Sequence, residues 1–337
     1  MPLSELSTLY PMVKPSLFFF AGASSALAAF SVVVRNRDRR REEAQQAEAM
    51  LRRRAREEKQ RLADATAAVE PPVSGLLPRA ELLVSAGPRK STRETELGED
   101  IAGTVVTIQR IIFWVLDGTS DTVVIPGEQG RDLFSSRLFC LAISAALHQL
   151  AHKHTDAHKL AEAAFDEAKQ QLQRQLEQHQ AAFQRFGQSE PAETPHWDVS
   201  TTMLLGILSA SGELDIFRIG DSKALCFGLD KHVVPTPIDQ KPASIGLGRI
   251  HARLLRGEAF TLDLFTPDRP EQLHRGQASG VSQVIAFSDG VGHSTEQYMR
   301  RMLGQRTYAQ FRDELARTPN KTFDDKTLVL AGFEQLS

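Results

Sequence analysis

Aspartates recur where apolar runs stop. The run TVVTIQRIIFWVL (104–116) ends at Asp117-Gly118, and the run 284–287 ends at Ser288-Asp289-Gly290. The alternating segment 214–219 turns at Gly220-Asp221-Ser222, and Asp324-Asp325 precedes a last β-rich run, 327–333. Glu99-Asp100 stands just ahead of the first of these runs. A carboxylate at a strand end, followed by a small residue, is what a hard cation takes. Mg²⁺ and Mn²⁺ prefer oxygen ligands, and a glycine lets a backbone carbonyl approach them. One Asp-Gly is an ordinary turn. Three strand-end aspartates with an Asp-Asp before the final strand are more than turn chemistry explains. Cys140 and Cys226 are the only cysteines, too few for a disulfide scaffold or a Cys-based zinc cluster.

The ordered set is Glu99-Asp100, Val115-Leu116-Asp117-Gly118, Ser200-Thr201-Thr202, Ile219-Gly220-Asp221-Ser222-Lys223, Phe287-Ser288-Asp289-Gly290 and Asp324-Asp325-Lys326-Thr327. It resembles the metal-dependent Ser/Thr phosphatases of the protein phosphatase 2C (PPM) type over nearly the whole segment from about 97 to 333. That resemblance implies an α+β fold, an α-β-β-α sandwich of two antiparallel sheets flanked by helices, with two Mn²⁺ or Mg²⁺ ions at one end. Carried over, Asp117 bridges the two metals and Gly118 offers its carbonyl. Asp289 and Asp324 complete one shell, and Glu99 or Asp100 serves the other. Asp198 and Asp221 become candidates for a third, looser ion. Two cations lower the pKa of a shared water and neutralise the charge that develops during in-line attack on phosphorus. The substrate implied is a protein phosphorylated on serine or threonine.

Several positions depart from the family pattern. Thr119-Ser120-Asp121 follows the Asp-Gly where many members carry a histidine that acts as general acid. Thr95 stands where the phosphate-binding arginine is expected, and Arg93, two residues further away, substitutes for it only if the loop differs from the family's. Lys223 replaces an arginine and Ser200 a glycine. The metal shell is kept while the substrate-handling shell is altered. The alternative this raises is a weak or silent PP2C-like pseudophosphatase that binds metal or a phosphoprotein without hydrolysing it.

The elements that carry this set occupy only part of the 337 residues. Residues 16–34 are uncharged, and at 1.5 Å per residue they span about 28 Å, close to the hydrocarbon core of a bilayer. Residues 35–63 follow with eleven basic and six acidic side chains, a net +5. The first 34 residues cancel and the chain totals −2, so the remainder carries −7. An arginine cluster directly after the apolar run puts the N-terminus outside and the rest in the cytoplasm. The expected organisation is a short extracytoplasmic end (1–15), a transmembrane helix (16–34), a charged helical stalk (35–69), a linker (70–90) and the phosphatase domain (91–337). The near-neutral total gives no sign of a nucleic-acid partner. The membrane anchor expected is the single N-terminal helix, at the cell's inner membrane.

Within the domain, residues 156–186 predict one long amphipathic helix with Leu160, Ala164, Ala168, Leu172, Leu176 and Phe183 on its buried face. The histidines at 148, 152, 154 and 158 lack any H-E-x-x-H pattern and read as a solvated helix face.

Overall fold

In the computed structural model the chain divides into two compact units, Met1–Glu70 and Pro71–Ser337. The structure describes residues 75–85, 98–119, 124–127, 132–189, 196–235, 238, 248–255, 260–263, 266–267, 273–291, 310, 313 and 324–335, all in the second unit. The expected transmembrane helix (16–34) and stalk (35–69) therefore lie outside the described residues. Among the described residues no helix is long and apolar enough to cross a membrane.

Two antiparallel sheets form the core. The first comprises β1 (Leu76–Ser85), β15 (Lys326–Gln335), β14 (Gln283–Phe287), β8 (Lys223–Phe227) and β9 (Val233–Val234), in that spatial order. The second is built on the long strand β6 (His196–Ser209). One edge of β6 pairs with β3 (Arg110–Gly118), which pairs in turn with β2 (Ile101–Val106). The other edge is shared by β10 (Ile250–Leu255) and β7 (Leu214–Ile219), and β7 carries β13 (Leu273–Ala278). Short strands β11 (Thr261–Leu262) and β12 (Thr266–Pro267) fringe β10, and β4 (Ile125–Pro126) with β5 (Asp132–Phe134) forms a separate ribbon.

Strand β3 shows how the layers are sorted. Ile112, Trp114 and Leu116 face the helices α1 (Ser136–Leu150) and α2 (Ala157–Gln178), whereas Ile111, Phe113 and Val115 face the first sheet. A period of two on a strand covered on both sides gives this continuous apolar run. Each such side chain, fully buried, contributes on the order of 1.5–3 kcal/mol. The far face of the first sheet buries Leu225, Phe227, Ile285, Phe287, Leu328 and Leu330. Three layers, helices on sheet on sheet, are thus described. The second helical layer of the expected sandwich falls outside the described residues.

Three expectations change. Residues 76–85, read as part of a linker, are β1, paired with β15 along its whole length from Leu76↔Gln335 to Ser85↔Lys326. Pro78 is tolerated because β1 is the sheet's edge strand. The run 104–116 is a hairpin rather than one strand. The Thr107 amide and hydroxyl both donate to the Arg110 carbonyl (2.9 Å each) and close the turn. The long helix breaks at His179 into α2 and α3 (Gln180–Ser189), and the six residues expected on its buried face are all buried.

Candidate functional site: carboxylates from both sheets

The hairpin β2–β3 puts Asp100, immediately before β2, beside Asp117 at the end of β3, because the register runs Ile101↔Leu116 and onward in that sense. Asp117 lies opposite Thr202 of β6. The Thr202 and Ser222 hydroxyls (3.3 Å) then link the second sheet to Asp221 at the head of β8 in the first. In that first sheet Lys223 pairs with Phe287, and Phe287 with Leu328, so Asp221, Asp289 and Asp324 all flank strand ends on the same side. One end of the sandwich collects carboxylates from both sheets.

Main-chain contacts fix this end. Asp325, fully buried, accepts the amides of Glu99 (2.6 Å) and Asp100 (3.3 Å). Gly98 adopts φ +70°, and a Cβ there would overlap the Asp325 carboxylate. A Cβ at Gly290 would overlap the Asp325 carbonyl, so only glycine lets the Asp289 loop close on the Asp324-Asp325 turn. Ser288 reinforces it, its amide donating to the Thr327 carbonyl (3.0 Å) and its hydroxyl accepting the Thr327 amide (3.1 Å).

The electrostatics follow from the crowding. Burial raises the Asp117 carboxyl well above its ordinary value, and the charges of Asp100, Asp289, Asp221 and Asp324 raise it further. Burial and then the charge of Asp325 push Asp100 up to about 7, partly offset by Ser288, Thr327 and Asp117. Both Asp100 carboxylate oxygens are buried without a well-formed hydrogen bond. Among the described residues no three His, Cys, Asp or Glu side chains close on one point as a finished metal cage. The carboxylates instead stand as mutually repelling charges of which Asp100 and Asp117 are held toward the neutral form. A buried carboxylate lacking donors is costly, and a hard divalent cation is the group that all-oxygen donors fit.

Of the residues expected at the metals, Asp100, Asp117, Asp221, Asp289 and Asp324 converge. Glu99 is buried beside them, and Gly118 continues β3 past Asp117. Asp198 lies four residues back along β6, where Arg253 (3.5 Å) and His196 (3.7 Å) face it. It is not among the carboxylates felt most strongly by Asp117. Arg93 lies outside the described residues. Sequence reasoning missed the role of Asp325, which holds the amides of the Glu99-Asp100 pair rather than a ligand position. Its signal was the doubled aspartate ahead of the last strand.

A sequence profile of the protein phosphatase 2C family matches residues 89–330, which is most of the chain. The chain belongs to the protein phosphatase 2C family. No curated protein sequence matches it. Similar solved structures include RsbX in complex with magnesium, with TM-score 0.43, 11% identity, and 79% of this chain against 98% of that one covered. A bacterial serine phosphatase gives TM-score 0.42, 13% identity, and 77% and 100% coverage. The photosystem II phosphatase PBCP gives 0.42, 16%, and 78% and 100%.

Two of the positions expected to depart from the PP2C pattern are in direct contact. Thr119 donates its amide to the Ser200 carbonyl (3.0 Å), and its hydroxyl lies 2.7 Å from the Ser200 hydroxyl. The residue after Asp117-Gly118 is thus tied to the residue before Thr201-Thr202. A third hydroxyl, that of the buried Ser136, sits 3.4 Å from Thr119.

Proposed function

We propose that the chain is a metal-dependent protein phosphatase that hydrolyses phosphoserine and phosphothreonine. Members of its family are Ser/Thr phosphatases that depend on Mg²⁺ or Mn²⁺. The observation that carries the reading is the gathering of Asp100, Asp117, Asp221, Asp289 and Asp324 from two sheets. These residues would hold two Mn²⁺ or Mg²⁺ ions, Glu99 and the Gly118 carbonyl assisting, with a third ion held more weakly. The ions when bound supply Lewis-acid activation of water and neutralise phosphoryl charge. The chain's own part is to keep the carboxylates fixed and partly dehydrated before any ion arrives.

Thr119 offers a hydroxyl already engaged with Ser200, not a titratable acid, so protonation of the departing serine or threonine oxygen falls to water or another side chain. Activity therefore falls steeply from aryl to alkyl phosphates. The apolar run 16–34 and the basic cluster after it support a single-pass anchor with the catalytic unit in the cytoplasm.

The full-length protein, purified in detergent, should hydrolyse p-nitrophenyl phosphate with Mn²⁺ and lose that turnover in chelator. Asp117→Asn should abolish it. Full activity in that variant would refute the assignment, and Mn²⁺ binding by the native protein without any turnover would point to a binding module instead.

A further inference from the structure

The carboxylate end needs a cation of its own chain to orient a phosphate ester, because metal ions attract phosphoryl oxygens without fixing the ester's rotation. The arginines whose partners are known are mostly committed elsewhere. Arg110 donates to the Ala151 and His154 carbonyls after α1. Arg79 pairs with Glu81 and Glu334, and Arg253 with Asp198. Arg137 differs. It opens α1, whose N-cap Ser135 accepts the Leu138 amide (3.1 Å), and it is only half-buried. Its Nη1 donates to the Gly98 carbonyl (2.5 Å), directly before Glu99-Asp100. The neighbouring Ser136 reaches Thr119, directly after Asp117-Gly118. The start of α1 therefore touches both segments that deliver the central carboxylates.

A guanidinium carries five N–H donors, and the Gly98 carbonyl takes one. Among the described residues Arg137 makes no ion pair, although the carbonyl it touches directly precedes Glu99-Asp100. A planar fork, oriented through one corner by a carbonyl and still holding spare donors, suits two oxygens of a phosphate. We propose that Arg137 binds the phosphate group of the substrate. This inference rests on the phosphatase reading of the same site and names the residue that grips the ester. Arg137 lies far along the sequence from Thr95, where such an arginine is expected, and from Arg93, so the proposal places that charge on α1.

The test uses full-length protein saturated with Mn²⁺ and measures inorganic phosphate binding by calorimetry beside turnover of p-nitrophenyl phosphate and a phosphothreonine peptide. In Arg137→Ala, phosphate affinity should fall about ten- to a hundred-fold and KM should rise by a similar factor, the loss of charge-assisted hydrogen bonds. The Mn²⁺ concentration for half-activation should stay within about twofold, because no metal ligand is removed. Arg137→Lys keeps the charge without the fork and should fall between the two proteins. Unchanged phosphate affinity in either variant would overturn the proposal. So would an Mn²⁺ requirement rising in step with KM, since Arg137 would then only prop Gly98 and the carboxylates. Should the native protein bind phosphate yet turn nothing over, the phosphatase reading fails while calorimetry still decides the role of Arg137.

Discussion

Two halves of one site are built by different means. The carboxylate half is held by backbone. Gly98 and Gly290 admit contacts no side chain would allow, and Asp325 takes the two amides of Glu99 and Asp100. The half that would meet the substrate adds side chains to its one backbone bond, the Thr119 hydroxyl meeting those of Ser200 and Ser136 and Arg137 reaching in from α1. Backbone contacts tolerate almost no substitution. Side-chain contacts can be exchanged in pairs.

The sharpest way to break this contrast is Gly290→Ala. The new methyl would overlap the Asp325 carbonyl, so the Asp289 loop must move away from Asp324. We expect turnover to drop more than about a hundred-fold, with stability falling by about 1–3 kcal/mol, the usual cost of overpacking. Retention of native Mn²⁺ dependence in this variant would show that the carboxylates do not need the backbone contact.

Asp325→Ala comes next. It strips two buried amides of their acceptor, which costs roughly 2–4 kcal/mol. Thermal melts should register that loss, and the Mn²⁺ concentration for half-activation should rise although Asp325 is not expected to touch the ions. A melt like that of the native protein would remove Asp325 from the account of how the site is held.

Much of this half was legible in advance because its signal is local: a β-rich run, an aspartate, a small residue. The runs 214–219, 284–287 and 327–333 became β7, β14 and β15 within a residue or two at every boundary. The failures are non-local. Residues 76–85 contain Pro78 and show no clean alternation, and they become a strand only because β15, some 250 residues later, offers its edge (Arg79 to Glu334, a separation of 255). The hairpin hidden in 104–116 has neither glycine nor proline at its turn and uses the Thr107 side chain instead. Asp325 was visible as a residue but not as an amide acceptor, because that role needs Gly98 beside it.

The proton balance gives a milder test. Without metal the folded protein holds the Asp100 proton up to about pH 7, whereas an unfolded aspartate releases it near 4. Between those values the folded state binds the extra proton, so metal-free stability falls as pH rises through that window. Bound Mn²⁺ must displace that proton and so removes the trend. The gain in melting temperature on adding Mn²⁺ should therefore be larger at pH 8 than at pH 5.5. Below pH 7 the Mn²⁺ needed for half-saturation should rise by up to about tenfold per pH unit. Equal gains at both values would mean that Asp100 does not give up a proton to the ions.

The smallest effect belongs to the side-chain half. Thr119→Ala, Ser200→Ala and the double variant form a cycle around the 2.7 Å hydroxyl contact. Each single change leaves a partly buried partner wanting a hydrogen bond, and the double change removes both partners at once. A coupling of about 1 kcal/mol is expected in stability. Turnover should change less than about tenfold in all three variants, because neither hydroxyl carries the proton to the leaving group. A loss as deep as that of Gly290→Ala would place Thr119 in the chemistry and dissolve the distinction between the two halves. Additive stabilities would instead show that Thr119 and Ser200 do not act as a pair.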